Sequence, residues 1–252
     1  MAVILALNNP VQDYAWGSTT LLPELLGTPP TGRPQAELWV GAHPAASSVV
    51  TGGPQAGRSL HELIAGDPGD VLGADVAATY GPRLPFLLKV LAIAQPLSIQ
   101  AHPSSAQAEE GYAAEDAAGV PIDAPHRSYR DPYHKPEMVV ALSEFEALLG
   151  WSEPDTAADR LAGLEVDRLA SVVDGVRAGA LSTALVELFA LPEPQVGALV
   201  EAVTAAARRD PHRYDLVLRL AEFYPGDLGI VLALLLEPAR LEPGQAVFVP
   251  DG

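Results

Sequence analysis

Residues 97–102, Leu97-Ser98-Ile99-Gln100-Ala101-His102, alternate apolar and polar side chains and precede Pro103. Because successive side chains of a β-strand point to opposite faces, the alternation predicts a strand over Leu97–Ala101, with Ser98, Gln100 and His102 on one face. A glutamine carbonyl oxygen and a neutral histidine nitrogen can both bind a divalent metal such as zinc. The spacing leaves two alternatives open, a metal-binding face or an ordinary solvent-exposed strand face.

A second polar segment, His134-Lys135-Pro136-Glu137, leads into an apolar run. Residues 137–142 predict a buried strand, and Glu137 would add a carboxylate to a metal site. His134, three residues earlier, is expected on the opposite face, next to the ligands rather than among them. The chain has only two lysines, Lys89 before Gln100 and Lys135 beside Glu137.

The chain changes character twice, which predicts three parts. Short apolar runs up to about residue 150 predict strands at Val3–Leu7, Leu38–Gly41, Phe86–Ile93 and Met138–Leu142. Serine, threonine and helix-forming residues predict short helices at Thr20–Leu26, Ser59–Ala65 and Ser105–Gly119. Between Glu153 and Glu237, apolar residues at intervals of three and four predict helices at Val166–Val176, Leu181–Leu191, Gln195–Arg209 and His212–Phe223.

These parts predict a mainly β protein with an α insert, namely a jelly-roll β-sandwich plus an inserted helical domain. The expected domains are a β domain with short helices over 1–152, a helical domain over 153–237, and the start of a returning β domain over 238–252. A single returning strand would leave an edge near Val247 through which chains can associate.

Charge and composition restrict the classes of partner. The 252 residues include 15 Lys and Arg against 32 Asp and Glu, a net charge of −17. Nucleic acids and anionic membranes attract basic surfaces, so neither is an expected partner. Without cysteine, a metal must bind through nitrogen and oxygen. No apolar run reaches the roughly 20 residues of a membrane span, and no targeting segment is recognisable, so we expect a cytoplasmic protein.

Five motifs follow one another in a specific order. They are Tyr14-Ala15-Trp16-Gly17, Ala36-Glu37-Leu38-Trp39-Val40-Gly41-Ala42-His43-Pro44, Leu84-Pro85-Phe86-Leu87-Leu88-Lys89-Val90-Leu91, Pro96-Leu97-Ser98-Ile99-Gln100-Ala101-His102-Pro103 and Tyr133-His134-Lys135-Pro136-Glu137-Met138. In this order the chain resembles the type I mannose-6-phosphate isomerases. The resemblance implies a cupin-type jelly roll and a zinc-dependent aldose–ketose isomerase. Such an enzyme interconverts mannose 6-phosphate and fructose 6-phosphate by proton transfer through an enediol(ate).

The resemblance also implies a role for each candidate residue. The implied zinc (Zn2+) ligands are Gln100, His102 and Glu137. The implied substrate-binding residues are Trp16, Lys89 and Ser98, of which Lys89 and Ser98 hold the phosphate. Lys135 and Glu37 occupy pocket positions and are the catalytic candidates for the general base. Glu37 has a second interpretation, as the acidic partner of Lys89.

The family's fourth zinc ligand is a histidine that follows a turn like Val249-Pro250-Asp251-Gly252, so it would lie beyond these 252 residues. We therefore expect the 252-residue chain alone to bind zinc weakly and to show little isomerase activity. The expected partner is a phosphosugar, and the oligomeric state is left open, with a monomer expected at full length. Alternative functions are a non-catalytic metal- or sugar-phosphate-binding cupin, an inactive fragment, or an intact protein in which another group replaces the histidine.

Overall fold

The computed structural model describes residues 4–251. The chain divides into two compact units, Met1–Leu97 and Ser98–Gly252. Helices account for 41% of the residues and strands for 17%, so the prediction of a mainly β protein is wrong. The excess of helix has two causes: many strands are only two residues long, and two helices at residues 68–80 were not predicted.

The first unit contains short strands and short helices. Its strands are β1 (Leu7–Asn8), β2 (Val11–Gln12), β3 (Glu37–Val40), β4 (Ala42–His43), β5 (Ala46–Ser47), β6 (Val49–Val50) and β7 (Leu88–Leu91). Its helices are α1 (Leu21–Leu26), α2 (Leu60–Gly66), α3 (Pro68–Leu72) and α4 (Ala74–Tyr80), with a 3-10 turn at Gly53–Gln55. Strand β1 begins at the last residue of the predicted Val3–Leu7 strand, of which Val3 lies outside the described residues.

An antiparallel sheet in the order β2-β3-β7 carries the candidate residues of this unit. Strand β3 is registered so that Trp39 lies opposite Lys89 and Glu37 lies opposite Leu91. The sheet continues irregularly beyond β7, where the backbone N–H of Ala94 donates to the carbonyl of Trp16 at 3.0 Å. This pairing fixes the segment around Trp16 against the end of the sheet.

The predicted short helices are present, and two of them are capped by serine. Ser59 Oγ accepts from the backbone N–H of Glu62, whose carboxylate accepts in return from the N–H of Ser59, both at 3.1 Å. This reciprocal pair is a capping box, which satisfies donors that the first helical turn leaves unpaired. Thr20 makes no side-chain cap to α1; Ser18 Oγ instead accepts from the N–H of Leu21 at 3.1 Å.

The second unit is richer in helix. Its helices are α5 (Ser105–Ala117), α6 (Pro154–Ala162), α7 (Ala170–Arg177), α8 (Leu181–Phe189), α9 (Glu193–Ala207), α10 (Asp215–Phe223) and α11 (Gly229–Leu232), with 3-10 turns at Asp167–Leu169 and Ala233–Leu235. Its strands are β8 (Glu137–Val140), β9 (Phe145–Trp151), β10 (Leu236–Leu241) and β11 (Ala246–Val249). Strand β9 pairs with β10 and β8 pairs with β11, both antiparallel.

The core of the second unit lies among helices α6 to α11. Leucines from the apolar faces of different helices, such as Leu161, Leu188 and Leu199, are at most 2% exposed within one apolar cluster. Arg160 joins α6 to the neighbouring strands, because its guanidinium donates to Ser152 Oγ at 2.7 Å and to the carbonyl of Leu236 at 3.0 Å. The helices that the apolar periodicity predicts over this region are present, and their apolar residues form this core, so that prediction is confirmed.

Two strand predictions in the second unit need correction. Residues 97–101 are irregular rather than a strand, because within residues 4–251 no strand pairs with them. Strand β8 exists, but it is not buried: Met138 is 68% exposed and Val140 is 52% exposed. Its side chains are exposed because, in the described part of the chain, β8 pairs with β11 alone and forms a narrow ribbon.

Candidate functional site

The strongest candidate for a metal centre is the pair His102 and Glu137 in the second unit. His102 precedes Pro103 and helix α5, which Ser104 caps through its contacts with Gln107. Glu137 is the first residue of β8 and lies opposite Val249 of β11. Chain segments that are far apart in sequence are thereby brought together, and the Nε2 atom of His102 lies 3.6 Å from Oε1 of Glu137.

This separation can be compared with the geometry of a shared zinc ion. Zinc binds nitrogen and carboxylate oxygen at about 2.0–2.2 Å in tetrahedral sites, which places two ligand atoms roughly 3.4 Å apart. The observed 3.6 Å between His102 and Glu137 is close to that distance. The side chain of His102 is 19% exposed and that of Glu137 is 54% exposed, so the pair is reachable from solvent.

Gln100 lies beside Ser98, as the alternating pattern predicts. Its Nε2 atom donates to Ser98 Oγ at 3.2 Å, and both residues are exposed. Within residues 4–251 no three His, Asp or Glu side chains form a metal-binding cluster. Among these residues, a further ligand for a metal held by His102 and Glu137 would be of another type, such as the amide of Gln100, and that role stays a prediction.

The segment before β8 makes two ion pairs that the sequence did not reveal. Lys135 Nζ lies 2.9 Å from Asp131 Oδ2, four residues earlier. His134 Nδ1 lies 2.8 Å from Oδ2 of Asp251, which follows β11. These contacts pair the two residues before Pro136 with nearby carboxylates, next to the start of β8. That His134 lies outside the ligand set stays a prediction.

In the first unit, Glu37, Trp39 and Lys89 form one contiguous cluster. Glu37 Oε2 accepts from the indole Nε1–H of Trp39 at 2.5 Å and lies 3.3 Å from Lys89 Nζ. The Lys89 ammonium also lies 5.0 Å from the centroid of the Trp39 ring. Of the two interpretations of Glu37, the structure therefore includes the ion pair with Lys89, while the part played by Trp39 was not foreseen.

Trp16 belongs to an aromatic pair in the first unit. Its ring stacks on that of Tyr14 with centroids 5.8 Å apart. The pKa of the Tyr14 phenol is raised above 10, first by burial and then by the negative charges of Glu37 and Asp13. Tyr14 is therefore a neutral hydroxyl at ordinary pH, suited to hydrogen bonding with a polar ligand.

The electrostatic character of the sites follows from these placements. The chain as a whole is strongly negative, so an anionic ligand requires a local cation, and Lys89 and Lys135 provide the two lysine ammonium groups. Each lies within 4 Å of one carboxylate. The side chain of Lys89 is 38% exposed and that of Lys135 is 45% exposed, so both ammonium groups can be approached by an anion.

Comparison with known proteins assigns the chain to a family. Residues 4–153, which contain every candidate residue above, match the family description "Phosphomannose isomerase type I, catalytic domain". The mannose-6-phosphate isomerase of Escherichia coli (strain K12) is 40% identical over 249 residues, covering 96% of this chain and 63% of the relative. The human mannose-6-phosphate isomerase is 30% identical over 276 residues, covering 98% of this chain and 63% of the relative.

A solved structure gives the same result for the fold. The crystal structure of mannose 6-phosphate isomerase from Salmonella typhimurium, bound to fructose 6-phosphate and zinc, matches with a TM-score of 0.83 and 38% identity. The match covers 97% of this chain and 63% of that chain. The chain therefore shares the fold of its relatives while it spans somewhat under two thirds of their length.

Proposed function

The chain belongs to the type I phosphomannose isomerase family, and we propose on this basis that it carries the metal- and substrate-binding residues of a zinc-dependent isomerase. The proposed reaction interconverts mannose 6-phosphate and fructose 6-phosphate. The observation that carries the proposal is the pair His102 and Glu137, whose nitrogen and oxygen lie 3.6 Å apart, near the spacing required by one zinc ion. The Salmonella relative with zinc and fructose 6-phosphate supports the choice of metal and substrate.

In this proposal Gln100, His102 and Glu137 hold the zinc through an amide oxygen, an imidazole nitrogen and a carboxylate oxygen. The zinc supplies Lewis-acid polarisation of the sugar oxygens. Its protein ligands would hold the ion in position, and the ion pairs of His134 and Lys135 next to β8 would restrain the segment that carries Glu137. Metal sites typically have such contacts around the ligands, and these contacts fix the orientation of the ligand side chains.

The phosphate group is the part of the substrate farthest from the reacting carbons, and its binding orients the sugar. We assign Lys89 to the phosphate as a point charge and Ser98 as a hydroxyl donor. Trp16, stacked on Tyr14, is assigned to the pocket wall. An anchored phosphate restricts the sugar to poses that present C1 and C2 to the proton-transferring group.

Isomerisation of the sugar moves a proton between C2 and C1 through an enediol(ate), so a base must reach these carbons. Glu37 and Lys135 are the candidates. Glu37 Oε2 already accepts from Trp39 and faces Lys89, whereas Lys135 is 45% exposed in its side chain and pairs with an exposed carboxylate. We therefore keep both as candidates for the base: Glu37 has a carboxylate oxygen that can accept a proton, whereas Lys135 must first pass its ammonium proton to Asp131 or to water but can approach a sugar without breaking a buried contact.

Further features of the proposal concern the whole protein. We propose that the small sheets belong to a cupin-type jelly roll and that residues 153–237 form an inserted helical domain. The second point is supported by an apolar cluster that draws its members from residues 157–235 alone. A cytoplasmic location and a monomeric state are proposed with it. Within residues 4–251 no helix is long and apolar enough to cross a membrane.

The decisive experiment compares His102→Ala with His61→Ala in the complete protein. His61 is exposed on α2 and has no proposed part in the site. We expect His102→Ala to lower zinc affinity about 10–100-fold or more and to abolish conversion in a coupled assay, while His61→Ala retains both. Bound zinc is measured by elemental analysis after dialysis. Full zinc content and conversion in His102→Ala would refute the proposed site, and zinc and phosphosugar binding without any turnover in the unsubstituted protein would favour the non-catalytic alternative.

A further inference from the structure

The cluster of Glu37, Trp39 and Lys89 has a geometry that goes beyond a surface ion pair. Trp39 and Lys89 lie directly opposite each other on β3 and β7, and Glu37 is two residues before Trp39 on the same strand. All three side chains therefore lie on one face of the sheet. Both Glu37 and Trp39 are 8% exposed, so the lysine rests on buried neighbours.

The contacts between these three side chains close a triangle. The indole N–H of Trp39 and the ammonium of Lys89 both approach the same oxygen, Oε2 of Glu37. The ammonium also lies over the face of the Trp39 ring, at 5.0 Å from its centroid, which is within the range of a cation–π contact. Trp39 therefore acts on Lys89 in two ways, through its ring directly and through its N–H by way of Glu37.

We propose that Trp39 is a positioning residue that fixes Lys89, through Glu37, for the phosphate of the sugar substrate. The inference rests on the proposed function, in which Lys89 binds that phosphate. A lysine side chain has a flexible four-carbon stem and loses considerable conformational freedom when it binds an anion. A lysine already fixed in its binding position loses less, so its affinity for the phosphate is higher.

The ammonium of Lys89 can also donate to two acceptors at once, the Glu37 carboxylate and a bound phosphate. An ammonium has three N–H donors, and among residues 4–251 Glu37 is the one carboxylate paired with Lys89. One donor directed at Glu37 leaves the others for an incoming phosphate. The indole N–H holds the Glu37 carboxylate in its orientation, so the carboxylate keeps Lys89 in place while the remaining N–H donors of the ammonium bind the ligand.

The test uses Trp39→Phe in the complete protein, with Trp151→Phe as the matched control. Phenylalanine retains an aromatic face and removes the N–H donor. Trp151 is 52% exposed on β9 and has no role in the cluster. We expect Trp39→Phe to raise KM for mannose 6-phosphate roughly tenfold and to change kcat less than about threefold. Zinc content stays unchanged, and Trp151→Phe resembles the unsubstituted protein.

A second measurement does not need turnover. Inorganic phosphate is used as the probe in calorimetry, and we expect its Kd to rise by about the same tenfold in Trp39→Phe. In Glu37→Gln the effect of Trp39→Phe on phosphate affinity is expected to shrink, because both residues act through one carboxylate oxygen. If Trp39→Phe alone is poorly folded, Glu37→Gln by itself tests the route, because an unchanged phosphate affinity in that variant would overturn a role for the carboxylate that joins Trp39 to Lys89.

The outcomes separate this inference from the proposed function. Equal phosphate affinity and KM in Trp39→Phe and Trp151→Phe would overturn the positioning role. Full additivity of Trp39→Phe and Glu37→Gln would overturn the route through Glu37. Weakened phosphate binding in Trp39→Phe, together with an unsubstituted protein that converts no mannose 6-phosphate, would refute the isomerase and keep the phosphate site.

Discussion

Replacement of Arg127 by methionine is expected to destabilise the chain more than any change of a surface arginine. The Arg127 side chain is 1% exposed and follows α5 in a loop. Its guanidinium donates to the carbonyls of Val120 at 2.6 Å and Tyr129 at 2.7 Å, and to Asp116 Oδ1 at 2.8 Å. Glu115 lies 3.7 Å away. One side chain thus fixes the loop of residues 120–129 against the end of α5.

The magnitude follows from what the substitution leaves behind. Removing one partner of a buried charge pair costs about 3–5 kcal/mol. Asp116 is 52% exposed in its side chain and regains water, which reduces that cost. Two carbonyls that lose their donor cost about 1–3 kcal/mol each if they stay buried. Methionine conserves much of the volume under the ring of Tyr112, which lies 4.8 Å from the guanidinium. We expect a net loss of about 3 kcal/mol.

Thermal unfolding followed by circular dichroism measures this loss. For a unit of 150–250 residues, 1 kcal/mol lowers Tm by about 2–4 °C, so Arg127→Met should lower Tm by about 6–12 °C. Arg130→Met is the matched control, because Arg130 is exposed in the same loop, and its effect should stay within about 0.5 kcal/mol. Equal melting of the two variants would show that the buried guanidinium does not stabilise the loop.

Two further predictions concern stability. A Cβ added at Gly17 would lie 2.6 Å from the Cα of Ala36, so Gly17→Ala should cost about 2–3 kcal/mol. Gly197 lies within α9 with nothing within 4 Å of an added Cβ, so Gly197→Ala should gain about 0.5–1 kcal/mol; urea unfolding compares the two, and equal losses would contradict the packing argument. The pKa of Glu115 lies below its ordinary 4.5, first because the backbone N–H groups of Ser128 and Tyr129 donate to it and then because of Arg127. The folded state therefore binds fewer protons, so this stabilisation is present above about pH 4.5 and is lost as pH falls through the lower folded pKa. In Glu115→Gln the decline of stability below pH 4.5 should be shallower, and an unchanged slope would contradict the assignment.

The helices of the chain were predictable because their causes are local. Ser59 precedes α2 and Ser104 precedes α5, and each completes a capping box with a residue three positions later. Between residues 153 and 237 the leucine spacing marks the buried face of each helix, and that face is found in the core. Helices α3 and α4 escaped prediction because their short sequences are rich in glycine, aspartate and alanine and carry no clear apolar periodicity.

Strands were less predictable because a strand requires a partner. Residues 97–101 have the alternation of a strand, yet they are irregular, and the flanking Pro96 and Pro103 lack the N–H that a neighbouring strand would accept. In contrast, β3 and β7 form near their predicted positions because they pair with each other in an antiparallel sheet. The prediction of a mainly β chain failed for this reason: apolar alternation was counted as strand wherever it occurred.

Alternation nevertheless predicted which side chains lie together. Ser98 and Gln100 share a hydrogen bond although their segment is not a strand, and Glu37 and Trp39 share one within β3. In both pairs the residues are two positions apart, so an extended backbone places them on one side with or without a paired neighbour. The contact between Trp39 and Lys89 is different, because it depends on the register of β3 against β7. A spacing of two residues therefore predicts which side chains of one segment lie together in a site. To predict which side chains of other segments join them, one needs the pairing of the strands or the resemblance to a family.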